Sequence, residues 1–248
     1  MGRKAGATRI KRSRAPPFWK IPRKRFRFVY RVRPGPHPKD QAYPLAVLVR
    51  DVLRLVETAR EAEAVIKEGR IKVDGVVRRE PGFPVGLMDT ISIEATGSHF
   101  RLLAGAQGGL RAVPIPAGEA LLKPLAVKRK TTVKGGLVQL GFHDGRTMIL
   151  RQGLGDVRVG DTVLVNLATG EAEKVLPLKR GSLALLTRGA YGGSLARIAS
   201  ITPGSISTPA MVEVELDSRR VTVPKDSVFV IGDGAPVVTV PRAEAPSA

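Results

Sequence analysis

The chain has 248 residues, with 41 Lys and Arg against 22 Asp and Glu, for a formal net charge of +19. It contains no cysteine, which excludes disulfides, thiolate metal sites and a Cys nucleophile. Its longest apolar run, PLAVLV at residues 44–49, falls far short of the ~20 residues that span a bilayer. Hydrophobic residues make up 43% and aromatics 4%, enough for small cores of Val, Leu and Ile inside a field that attracts polyanions.

The charge is concentrated at the start. Fourteen cations fall within residues 1–39, and the first acid is Asp40. A basic leader on a milder body is a nucleic-acid signature. The leader has no apolar core of a secretory signal, and Pro16, Pro17, Pro22, Pro34, Pro36 and Pro38 break any amphipathic presequence helix. So many cations with so few apolar residues predict a disordered arm over 1–42, extended through PGPHP at 34–38. Fully stretched, such an arm reaches roughly 130 Å. Phe18, Trp19, Phe26, Phe28 and Tyr30 lie between its cations as candidate stacking faces for unpaired bases, or as residues that dock on the body.

From Tyr43 the pattern becomes helical. Leu45, Leu48, Val49, Val52, Leu53 and Val56 fall at helical spacing, with Pro44 in the first turn. A second helix begins at Thr58, where Thr58 and Glu61 form a capping box, and stops at Gly69. Its apolar face is Ala62, Val65 and Ile66, and Arg60 and Lys67, seven apart, share another face. RIKV and VVRR, separated by Asp74-Gly75, predict a tight hairpin, and DTISI a strand with Ile91 and Ile93 on one face. Beyond residue 97, short apolar runs punctuated by Gly108-Gly109, Gly135-Gly136, Asp144-Gly145, Gly160-Asp161 and Thr169-Gly170 predict a β domain, barrel or sandwich, over 98–177. A glycine-rich β unit follows over 178–241, and 242–248 reads as a tail.

No catalytic or metal constellation emerges. His37, His99 and His143 are isolated, and His143-Asp144 lacks a third group. GLGDVRVG lacks the G-x-G-x-x-G spacing, and no Walker lysine follows a glycine loop. The alternative of an RNA-modifying enzyme, of pseudouridine synthase or methyltransferase type, needs a catalytic domain of roughly 150–200 residues with an Arg-Leu-Asp string or a glycine-rich nucleotide loop, and neither string appears.

Two short helices and a tight hairpin, with the lettering AREAEAVIKEGRIKVDGVV, resemble the α-L motif of ribosomal RNA-binding proteins, giving 43–97 as an α-L domain. RPGPHPK, VDGVVR, FPVGLMDTISI, HDGRT, GDTVLVNLATG and FVIGDG extend the likeness from about residue 9 to 241. Together they resemble the archaeal and eukaryotic S-four-e family of small-subunit ribosomal proteins, and the region from 178 resembles a KOW-type small barrel. In its turn, Gly189 and Gly193 occupy glycine positions and Ser194 stands where the family tends to carry Arg, flanked by Arg188 and Arg197.

The resulting expectation is an α+β, multi-domain chain: disordered basic arm, α-L domain, barrel-like central β domain and KOW-type barrel. The resemblance implies a non-catalytic cytoplasmic constituent of the small ribosomal subunit. Its implied partners are small-subunit ribosomal RNA and neighbouring small-subunit proteins, with no cofactor, metal, membrane, small-molecule substrate or homo-oligomer. The expected RNA contacts in the arm are Arg9, Lys11, Arg12, Arg14, Trp19, Lys20, Arg23, Lys24, Arg25, Arg27, Arg31, Arg33, His37 and Lys39. In the α-L region they are Arg50, Arg60, Lys67, Arg70, Lys72, Arg78 and Arg79, with Arg188 and Arg197 in the last unit.

Overall fold

In the helix–hairpin region the local signals become geometry. The structure, a computed structural model, describes residues 7–22, 24–105, 109–150, 156–216 and 219–241. Arg23 and the tail 242–248 lie outside the described residues. The helix Ala59–Lys67 starts as its letters require: the Glu61 N–H donates to Thr58 Oγ1 at 3.2 Å, and the Glu61 carboxylate accepts the Thr58 N–H. It ends in a Schellman motif, with the Gly69 N–H donating to Ile66 O and the Arg70 N–H to Val65 O. Strands Ile71–Val73 and Val76–Val77 pair antiparallel with Val73 opposite Val76. Asp74 (φ 52°) and Gly75 (φ 75°) both lie in the left-handed region, which makes a type I′ turn.

A β-branched residue in that conformation costs about 1–3 kcal/mol. Gly75→Val is therefore expected to lower unfolding stability by that amount, read from denaturant melts. An unchanged midpoint would contradict the turn's role.

The first predicted helix is shorter than its apolar spacing implied. It runs through Leu45–Val47 and continues as a π turn over Leu48–Val52, where the Leu53 N–H reaches back five residues to Leu48 O at 2.9 Å. Arg54, at φ 54°, then breaks it. With no capping residue at its end, the segment follows packing: Leu48 and Val49 are buried, and Leu55 is exposed.

The chain forms two compact units, one of residues through Leu102 with Leu110–Ala120, the other of Leu103–Gly109 with Leu121 onward. The first contains a five-stranded sheet in the order Val76–Val77, Ile71–Val73, Thr90–Ile93, Ser98–Ala104, Leu110–Ile115. The domain boundary expected at residue 97 thus falls at a turn inside one sheet, because Ser98–Ala104 pairs with Thr90–Ile93 across it.

The expectation of a coreless, disordered arm is corrected for the described residues. Strands Arg9–Lys11 and Phe28–Tyr30 pair antiparallel with Ile10 opposite Val29. Ala15, Trp19, Ile21, Val29, Tyr30 and Val32 enter the same core as Leu45, Ile66, Ile71 and Ile91. The cations do not oppose this, because they point outward while most of the apolar groups, Phe28 excepted, point in. Tyr30 and Val32 alternate with Arg31 and Arg33, the period of a half-buried strand.

The second unit holds two antiparallel sheets. One is ordered Thr147–Ile149, Val138–Phe142, Leu122–Thr132, Thr162–Asn166, Ala172–Leu176, over a core of Leu125, Val127, Leu140, Phe142, Val163 and Val165. The other is six-stranded: Arg219–Pro224, Met211–Leu216, Leu195–Thr202, Leu183–Leu186, Val228–Asp233, Ala235–Pro236. Its core centres on Ala184, Leu186, Ile198, Val212, Val214 and Val230.

Candidate RNA-binding surface

The arm strand and the capped helix meet through one side chain. Tyr30 donates its hydroxyl to Glu63 Oε2 at 2.6 Å, joining residues 33 apart in sequence. Lys67, one turn beyond Glu63, binds the same carboxylate at 2.7 Å. Lys67 and then Tyr30 hold the Glu63 carboxyl below its usual range. Arg9 lies over the Tyr30 ring, 5.1 Å from its centroid. Alongside, the Arg33 N–H donates to Gly82 O and its guanidinium sits 3.5 Å from Glu80. The Arg79 guanidinium lies over Gly69 at the helix C-terminus, where a cation complements the helix dipole.

Arg9 and Lys67 meet around Glu63, the charge of Glu80, the partner of Arg33, reaches Lys67, and Arg79 lies at the end of the same helix. Arg31 is tied in by its N–H to Thr8 O, and Lys11 follows Arg9 on the strand. Glu63 and Glu80 are the acids of this surface, and each already bridges to a cation. Phosphates meeting such a surface gain charge-assisted hydrogen bonds at several points.

Register decides which arm aromatic is available for stacking. Lys11 pairs with Phe28, and Phe28 is 49% exposed beside Arg27. Trp19 is not available: it is 2% exposed, its indole N–H donates to Ala42 O at 3.1 Å, and its ring packs beside Tyr43. Tyr43 is itself buried with its hydroxyl on Phe18 O, and burial pushes its pKa up to about 12. Tyr30 is buried by its bond to Glu63, and Phe18 and Phe26 are packed against the core.

Two further expected contacts are corrected. His37 is buried with Nε2 2.9 Å from Asp89 Oδ1, and its ring covers Gly86, where a Cβ would collide with it. Asp89 also accepts the Gly86 N–H at 2.8 Å. The proline run thus delivers His37 into the body of the unit. Arg50 is buried against Asp51 at 2.7 Å and lies 4.1 Å from the Phe26 ring centroid, so it clamps the arm from inside.

The remaining candidates divide by what they already touch. Arg12 sends Nε and Nη2 to Ile21 O at 3.1 and 2.6 Å, closing the loop between the two arm strands. Arg78 covers the Phe83 ring. Arg70 pairs with Glu68 and Lys72 with Glu94, both at 2.6 Å. Arg14, Lys20, Lys24, Arg25, Arg27, Lys39 and Arg60 are exposed. Arg188 and Arg197 are exposed in the second unit, beside a turn in which Gly189 and Gly193 both have positive φ. The Tyr30–Glu63 link escaped sequence reasoning, since nothing local relates a Tyr in the arm to a Glu on a helix.

The S4 domain family matches residues 44–91, the stretch that holds the capped helix and the type I′ hairpin. The RS4NT (NUC023) domain matches residues 4–40, and the ribosomal family S4e matches 96–172. Small ribosomal subunit protein eS4 of Aeropyrum pernix is 39% identical over 249 residues, covering 98% of each chain. Its counterpart in Pyrobaculum calidifontis is 41% identical over 234 residues, covering 93% of this chain and 98% of that one. The crystal structure of the 30S ribosomal protein S4e from Thermoplasma acidophilum aligns with a TM-score of 0.67 at 32% identity, over 79% of this chain and 97% of that one. The chain belongs to the ribosomal protein family S4e.

Proposed function

We propose that this chain is a non-catalytic constituent of the small ribosomal subunit that binds small-subunit ribosomal RNA through its N-terminal segment and S4 domain. It does so beside neighbouring small-subunit proteins in the cytoplasm. The observation that carries the reading is the cationic surface in which Arg9 and Lys67 gather around Tyr30 and Glu63, Arg33 is held by Glu80, and Arg79 lies over Gly69 at the end of the same helix. The six-stranded unit, with its Gly189–Gly193 turn, is read as the KOW-type module, and the five-stranded sheet before it as the barrel-like central domain.

Binding of this kind is dominated by phosphate neutralisation, with release of counterions. Specificity comes from RNA shape and from splayed bases, because A-form grooves hide base edges. With 6–10 phosphate contacts, affinity for purified small-subunit RNA is expected to fall ~10³–10⁵-fold between 50 and 200 mM salt. A variant carrying Gln at positions 9, 11, 31, 67 and 79 should lose about 0.7–0.9 of salt slope for each contact removed. Phe28→Ala should weaken RNA binding by ~1–3 kcal/mol, the worth of one stacked base, without lowering the melting temperature. An unchanged slope in the five-site variant, together with failure of the chain to co-sediment with small subunits, would refute the proposal.

A further inference from the structure

The outer face of the central sheet carries a basic trough that none of the expected contacts includes. Strands Leu122–Thr132, Val138–Phe142 and Thr147–Ile149 place Arg129, Gly141 and Thr147 in one cross-strand row, and Thr131, Gln139 and Ile149 in another. Between them runs Lys130–Leu140–Met148, whose Leu140 is in the core, so the two flanking rows face outward. Arg129 reaches that outer face through a bulge. The register shifts between Val127, opposite Phe142, and Arg129, opposite Gly141, leaving Lys128 as the extra residue. Without the bulge, Arg129 would pair with Leu140 on the core side.

Gly141 is the informative residue. A glycine inside a strand weakens it and marks a turn, crowding or the close approach of another molecule. Gly141 has no left-handed φ, and a Cβ there would meet Arg129 Cβ at 3.4 Å and Arg129 O at 3.9 Å, both ordinary contacts. Neither conformation nor packing accounts for it. Its effect is to leave a groove of about 400 Å³ whose polar lining includes Arg129, Thr131, Gln139, Arg146 and Thr147, with no carboxylate residue among the described residues that line it. Arg129 makes no ion pair among the described residues, and Arg146 is steadied by Asp144 at 3.1 Å.

We infer that this trough binds the sugar–phosphate backbone of RNA. Arginine forks take the phosphate oxygens, and the Thr and Gln side chains, roughly 7 Å along the strands, reach the ribose hydroxyl. The inference rests on the reading of the chain as an RNA-binding protein, and adds an anchor in the second unit. Free phosphate offers the same oxygens, so the test separates the two.

The full-length chain would be titrated with small-subunit ribosomal RNA, and separately with inorganic phosphate, as parent, Arg129→Ala, Gly141→Val and the five-site surface variant. Arg129→Ala is expected to weaken RNA binding about tenfold and to reduce the salt slope by about 0.7–0.9. Gly141→Val should also weaken binding, by filling the trough, while its melting temperature holds or rises, because Val favours a strand. If Gly141→Val misfolds, exposed Arg129→Ala decides alone. Parental RNA affinity in Arg129→Ala, with loss only in the five-site variant, overturns the trough and leaves the proposed function standing. The same RNA result with phosphate binding lost in Arg129→Ala assigns the trough to free phosphate and equally overturns it. No loss in any variant overturns the trough and, if the chain also fails to co-sediment with small subunits, the proposed function with it.

Discussion

Trp19→Ala is expected to lower the unfolding free energy by about 3–5 kcal/mol, the cost of removing a buried indole from a core that only partly collapses. Trp19 contacts Tyr43 and closes the loop onto Ala42, so its loss exposes the junction between arm and helix. Truncation of residues 1–39 goes further, because Ile21, Val29, Tyr30 and Val32 leave the same core. The truncated chain should lose cooperative unfolding of its first unit, as well as RNA affinity. Phe28→Ala supplies the contrast, with stability nearly unchanged and RNA binding reduced. Denaturant melts of the two variants with RNA titrations in parallel would check this. A Trp19→Ala protein as stable as the parent would mean that the arm is not part of the core.

Lys123→Met should also be costly, up to about 3–5 kcal/mol, because it takes the buried partner from a buried carboxylate and leaves it the more exposed Arg146 guanidinium. Lys123 and Asp144 are both almost fully buried and 3.1 Å apart, and Asp144 Oδ1 also accepts the Arg146 N–H at 3.1 Å. Burial pushes the Asp144 pKa up, but Lys123, then His143 and the Arg146 N–H, outweigh it and hold the carboxyl below its usual value. In the parent, Asp144 therefore contributes stability that is present above the unfolded carboxyl pKa of about 3.9 and lost as pH falls below it. Lys123→Met removes the main counterweight to burial, so the folded pKa rises. The acid-side loss of stability is therefore weaker in the variant, whose stability should fall less steeply than the parent's as pH drops below about 4. The double variant Lys123→Met/Asp144→Asn should cost less than the two single changes added together. Equal pH profiles for parent and Lys123→Met would show that the pair does not govern this turn.

The pair also shows what His143 and Asp144 touch. From the letters they were a possible acid–base couple without a third member. In the fold, His143 Nδ1 accepts the Ala126 N–H and its ring meets Phe229 edge-on, while Asp144 turns inward to Lys123. Adjacent residues on a turn point to different neighbours, and here both neighbours are structural.

Features that depend on residues close in sequence were legible. The Thr58–Glu61 capping box, the Gly69 stop, the Asp74-Gly75 turn and the Ile91/Ile93 face each follow from contacts within a few residues, where backbone sterics and local hydrogen bonds dominate. The arm was misread because counting cations measures repulsion but not direction. Six apolar side chains that all face one way are enough to dock a segment whose charges all face the other. Among the expected contacts and candidate stacking faces, Trp19, His37 and Arg50 look the same in a string as Phe28, Lys39 and Arg60, and only their partners distinguish them.

By itself, then, the sequence determined the excess of positive charge and its placement, the helix–hairpin unit, the β character of the rest and the resemblance to a ribosomal family. These are properties of composition and of neighbours along the chain. Tertiary structure alone decided which arm aromatic stays in solvent, which cations become internal clamps, and that Tyr30, Glu63 and Lys67 join the arm to the helix. It also decided that a bulge turns Arg129 toward a glycine-floored trough. Such outcomes depend on residues brought together from 33 positions apart in the case of Tyr30 and Glu63. Their energies come from desolvation and packing, which exist only once the core has closed.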